Sequence, residues 1–168
     1  YQPAGLWNEV SLDRNRKFVQ DTGNKIYRRS MYTYWKRSAP QPAMAAFDTP
    51  SREICTIQRQ RTNTPMQSLV TLNDVQFVEA SRFFAQRVLL TGPKDFPGQV
   101  NRAFELATGR PADNLRQQVM KKAYDKQKAV FDQNPAQADQ LLAMGDSPRE
   151  KSDRKSTRLN SSHLVISY

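Results

Sequence analysis

The chain has 168 residues, with 26 Lys+Arg against 16 Asp+Glu, one Cys and one His. Its hydrophobic fraction of 38% lies below the roughly 45–50% of an ordinary globular domain. An internal disulfide and a thiolate-rich zinc site are excluded, and no window approaches the ~20 apolar residues of a membrane span.

The sequence opens with Tyr1 rather than Met, so it reads as a fragment or a processed product, and no export signal is visible in it. Residues 1–64 carry 11 basic and 5 acidic side chains and both Trp residues, Trp7 and Trp35. Pro and Gly are scattered through them, which predicts short elements joined by loops. The run Arg29-Ser30-Met31-Tyr32-Thr33-Tyr34-Trp35-Lys36 is rich in aromatic residues and is expected to be extended, since such residues favour strands. Ile54-Cys55-Thr56-Ile57 is a second extended candidate, and the two runs can pair as a short two-stranded element.

From Thr64 the pattern is helical. Thr64-Pro65-Met66-Gln67 combines a cap residue, Pro at the first helical position and Gln three after the cap, the signature of a capping box. Asn73 is read as the cap of a second helix carrying Phe77, Val78, Phe84 and Val88, stopped by Gly92-Pro93. A third follows Pro97, with Val100, Ala103, Phe104 and Ala107 on one face and Gly109 and Pro111 at its end. A fourth runs from about Ala112 to Gln133, with Leu115, Val119, Ala123, Val130 and Phe131 expected inward and Lys121, Lys122, Lys126 and Lys128 outward. Asn134-Pro135 opens a short fifth bearing Leu141 and Leu142, closed by Gly145. The fold class is therefore mainly α: a partial helical domain with an irregular N-terminal half (1–64) and a helical half (65–152).

The last segment changes character. Residues 153–168 read as the frame translation of a common sequencing adapter and are excluded from fold reasoning as an artefact expected to be disordered. With them goes the only His, so His-based triads, His-ligated metal sites and axial-His haem ligation fall away for residues 1–152. That segment retains 23 basic and 15 acidic side chains.

Few motifs carry chemistry. Arg28-Arg29, Tyr32, Tyr34, Trp35 and Lys36-Arg37 combine charge with rings as a nucleic-acid surface does. The simpler reading makes the rings core and the charges solvated, and no base-reading signature accompanies them. Cys55, without a base, is expected to be a buried small apolar residue. The most concentrated polar cluster is Arg59, Arg61, Asn63 and Thr64, with Asp48 as a partner. Two arginines at a helix start suit an anion. The structural alternative has an arginine buried and bonded to Asp48 or Glu53, with Thr64 capping the Pro65 helix.

Several segments together resemble a known family. Tyr1-Gln2-Pro3-Ala4-Gly5-Leu6-Trp7, the run from Tyr27 to Arg37, Phe47-Asp48, Arg61-Thr62-Asn63-Thr64-Pro65-Met66-Gln67, Leu72-Asn73-Asp74 and Ala107-Thr108-Gly109-Arg110-Pro111 stand in matching order and spacing. They look like the planctomycete surface domain, a C-terminal domain of unknown function numbered 1553 in that series. The resemblance spans essentially residues 1–152. It implies an exported, multidomain parent that commonly bears a cytochrome-c-like segment, so haem would belong to a separate domain and none to this chain. It also implies that the domain's N-terminal part is missing and that the tail stands in place of its closing helices. It transfers no catalytic residues.

The leading expectation is a structural or interaction module whose partners are the remaining domains of its parent. An enzyme, polysaccharide-processing or redox, whose site needs the missing regions is the alternative. Weak, sequence-independent nucleic-acid binding is the third; no specific nucleic acid and no transmembrane segment are expected.

Overall fold

The computed structural model of the chain describes residues 1–7, 18–36 and 38–147; the adapter-like segment and Arg37 lie outside them. Six helices are present among the described residues: α1 (Pro42–Ala46), α2 (Pro65–Asn73), α3 (Val75–Thr91), α4 (Phe96–Thr108), α5 (Asn114–Gln133) and α6 (Pro135–Leu142). They fall into two compact units, one ending at Asp74 and the other beginning at Val75. The boundary thus lies after α2 rather than before it. No described helix is long and apolar enough to cross a membrane.

In the first unit, the expected strands do not form. Ser30–Tyr32 is a single 3-10 turn and the isolated bridge Lys36–Ala39 lies within one tight turn. The reason is the lack of anything to pack against: Met31, Tyr32, Ile54 and Ile57 are all exposed, and an unpaired strand burying no face has no stability of its own. Tyr32 and Tyr34 are therefore not core, although Trp7 is. Trp7 packs edge-on to Tyr34 at 4.8 Å and beside Phe18 at 5.9 Å. Its indole N–H donates to Gln2 Oε1 at 3.0 Å, as a buried indole requires. Below it, Gln41 is buried and caps α1 by accepting from Met44 N. α1 packs on α2.

The second unit is a helical bundle in which α3 packs on α4 and α6, and α5 on α4 and α6. Its core is Val78, Ala85, Val88, Val100, Ala103, Met120, Ala138 and Leu142. The starts of α4 and α5 are set by Asp95 and Asp113, whose carboxylates accept from Gly98 N and Arg116 N. Asn73 is not a cap: it is the last residue of α2, and its side chain donates back to Leu69 O at 2.8 Å. Gly109, at φ 72°, ends α4 in the left-handed conformation that glycine adopts without strain.

Helix α5 keeps part of the expected face, with Ala123 and Phe131 half-buried. Leu115, Val119 and Val130 are exposed, and Met120 is buried instead. Gln117, Tyr124 and Gln127, on the same side as Met120, are half-buried. Gln117 donates to Asn101 Oδ1 at 3.0 Å, and Tyr124 packs its ring on Phe96 at 4.9 Å. The packed side thus runs through Gln117, Met120, Tyr124 and Gln127 rather than through Leu115 and Val119. On α4, Ala107 is likewise exposed.

Candidate functional site

The polar run before α2 is organised by the end of α1. There the N–H of Asp48 donates to Ala45 O and that of Thr49 to Met44 O, both at 3.2 Å. This is a Schellman closure, in which the left-handed position is normally glycine. Asp48 occupies it at φ 56°, a conformation Asp tolerates better than most residues.

That turn aims the carboxylate at Thr62. Asp48 Oδ2 accepts from Thr62 N at 2.8 Å and from Thr62 Oγ1 at 2.7 Å. Thr62 Oγ1 accepts in turn from Gln67 Nε2 at 3.1 Å. Gln67 and Thr64 complete the capping box of α2, each side chain accepting from the other's backbone N–H at 3.4 Å. The Thr62 hydroxyl, then its amide, hold the Asp48 carboxyl below the usual carboxylate range against partial desolvation, with the Arg59 charge and Gln67 adding to them.

Of the expected cluster, the structure brings Asp48 and Thr64 together through Thr62 and Gln67. Asn63 is exposed beside them. Arg59 and Arg61 are also exposed, and neither has a hydrogen-bond or ion-pair partner among the described residues. The expected buried arginine is therefore neither of these. Cys55 is exposed too, because its segment lies on the surface rather than in a strand over a core.

Two arginines that sequence reasoning missed do the anchoring. Arg52 donates through Nη2 to Ser30 O at 3.0 Å and stacks over the Trp35 ring at 4.7 Å. Arg82 is 5% exposed beside Glu79 at 1%. It donates through Nη1 to Leu142 O at 2.6 Å and through Nη2 to Ser147 O at 3.0 Å. Ser147 N donates to Glu79 Oε1 at 2.8 Å. The only local trace of this in the sequence is the i, i+3 spacing of opposite charges on α3.

A groove of about 690 Å³ lies along α4 and α5, lined by Phe96, Pro97, Gln117, Lys121, Lys122 and Asp125 among others. Lys121 bonds Asp125 at 2.7 Å and lies over the Phe96 ring at 5.1 Å. Its charge is spent within the groove wall.

A family model described as PSD1, protein of unknown function (DUF1553), matches residues 1–124. The chain belongs to this family. The PSD1 match takes in the whole first unit with α3, α4 and the first half of α5, a shorter span than the 152 residues over which the sequence resemblance was drawn. Neither the curated proteins nor the solved structures supply a match. Within the PSD1 segment, the best-formed polar constellation is the chain Asp48–Thr62–Gln67–Thr64.

Proposed function

We propose that this chain is a non-catalytic structural or interaction module within an exported, multidomain planctomycete protein. One observation carries the reading: the candidate site's carboxylate and hydroxyls are engaged in closing the fold around α1 and α2. A carboxylate that accepts two hydrogen bonds and is held ionised is a poor proton shuttle at neutral pH. Haem, where the parent carries it, belongs to a separate domain, and the partners of this chain are its neighbours in the parent.

The test is the complete gene. Its flanking sequence is expected to encode an export signal and further domains upstream, one with a CxxCH haem motif. A reading frame that encodes this domain alone, without a leader, would overturn the proposal.

A further inference from the structure

The module's exposed surface has a chemistry of its own. Residues 48–62 form a loop whose ends are clasped by the two Asp48–Thr62 hydrogen bonds. Compact loops of this kind, with their ends close together, are frequently functional. Its near side is fixed by Arg52 on Ser30 O and on the Trp35 ring. Beyond Arg52 the loop turns its apolar side chains outward: Ile54 is 77% exposed and Ile57 fully so. The next element continues the pattern. α2 buries no residue, and Met66, Leu69 and Leu72, spaced by three on one side of it, are all about half exposed.

The charge of this surface leans positive: the loop carries Arg52, Arg59 and Arg61 against Asp48 and Glu53, and α2 carries none. From Ile54 to Asn73 the sequence has no Asp or Glu, and its two charges are Arg59 and Arg61. Both guanidiniums are exposed and make no hydrogen bond or ion pair among the described residues, although the Arg59 charge is felt by Asp48. Exposed apolar side chains on successive elements call for a covering partner, and the arginines fix that partner's sign.

We infer that this loop and the adjoining face of α2 dock onto an anionic lipid bilayer, Ile54 and Ile57 entering the acyl boundary while Arg59 and Arg61 meet the headgroups. A bilayer satisfies both halves of the surface at once, with an apolar interior bounded by negative charge. The inference rests on the interaction-module reading and adds a lipid surface to the neighbouring domains as a partner of that module.

Cys55 provides the probe, as the chain's single cysteine lies exposed beside Ile54. The full chain is labelled there with an environment-sensitive nitrobenzoxadiazole dye. It is then mixed with vesicles of phosphatidylglycerol and phosphatidylcholine, or of phosphatidylcholine alone. A blue shift on the anionic vesicles only, weakened by salt, is expected. Co-sedimentation of the unlabelled chain should fall about tenfold or more in Ile54→Asp/Ile57→Asp, and several-fold in Arg59→Gln/Arg61→Gln. Far-UV circular dichroism verifies that the variants are folded, and Ile57→Ser supplies a milder change at the same position.

No partition onto anionic vesicles, equal binding to neutral ones, or binding indifferent to the isoleucine changes would each overturn the inference. A dye shift that follows protein concentration without vesicles would assign the surface to a second copy of the chain and overturn it as well. Failure on vesicles leaves the module reading standing, since that rests on the gene's architecture.

Discussion

Arg82 holds Ser147 by its backbone carbonyl at 3.0 Å, across 65 positions of the chain. The amide of the same serine donates to Glu79, so one peptide segment is gripped by both members of a buried charge pair. The pair's own separation, 3.7 Å, is long. Hydrogen bonds to Leu142 O at the end of α6 and to Ser147 beyond it tie both charged groups to the far end of the unit.

Removing one member should accordingly be severe. Arg82→Met takes the guanidinium away from the buried Glu79 carboxylate and is expected to cost about 3–5 kcal/mol. Glu79→Gln/Arg82→Met should lose less than Arg82→Met alone, because no net charge remains buried. Urea unfolding of the two variants beside the parent chain measures both values.

Gly145 lies against this cluster. It stands at φ 91°, and a Cβ there would run into the Glu79 carboxylate. Gly109 also has positive φ, but a Cβ on it would meet nothing within 4 Å. Gly109→Ala should therefore cost only backbone strain, on the order of 1 kcal/mol. Gly145→Ala adds a clash inside a buried ion pair and should cost clearly more. Thermal melts of the two single variants rank them, and equal costs would show that Glu79 moves aside freely.

Protonation should loosen the first unit through Asp48. Its folded pKa lies below the ordinary value, so its stabilisation is fully present above the unfolded pKa and is lost as pH falls through the folded one. Asp48→Asn keeps a side chain tolerant of the left-handed turn but replaces the charged acceptor. Its melting temperature should lie below the parent's at pH 7, with the gap closing below about pH 4. A gap that stays constant down to pH 2 would dissociate Thr62 from the effect.

Thr64 is a cap with a measurable share in α2. Thr64→Ala removes its half of the capping box and should destabilise by about 1 kcal/mol. Thr64→Ser should retain most of that. Denaturant titration separates the two.

The arginines of the first unit should divide by contact rather than by position in the motif. Arg59→Ala and Arg61→Ala are expected to change stability by no more than about 0.5 kcal/mol, as exposed side chains without partners do. Arg52→Ala, which loses the bond to Ser30 and the face of Trp35, should cost more than either. The same titration applied to all three tests the order.

Helix existence was legible because caps are local. Thr64, Pro65 and Gln67 announce α2 within four residues, and Gly109 closes α4 just as a left-handed stop should. Facing was less legible. Counting apolar residues on α5 selects Leu115 and Val119, yet the packed side takes Gln117 and Tyr124, whose partners Asn101 and Phe96 lie on another helix. Strand propensity at Tyr32 and Ile57 misled for a related reason: it measures fit to a half-buried pleated surface, and none is there. In the polar cluster, Thr64 followed from its neighbours alone. The role of Asp48 required knowing that α1 ends in a left-handed turn with a non-glycine residue, which no spacing announces. Arg82 was invisible in kind, since its acceptors are backbone carbonyls far along the chain.

The clasp at Ser147 has a temporal side. In the second unit α3 meets α4, α4 meets α5 and α5 meets α6 in the order in which they leave the ribosome. The closure of α3 against α6 alone spans sequence separations of 60 to 68 residues. Synthesis therefore produces α3 to α5 while Glu79 and Arg82 are still wet, and this closure follows only when Leu142 and Ser147 arrive. A contact of such long sequence separation is expected to form after the folding barrier. Damage to it should then shorten the lifetime of the finished unit more than it slows its assembly.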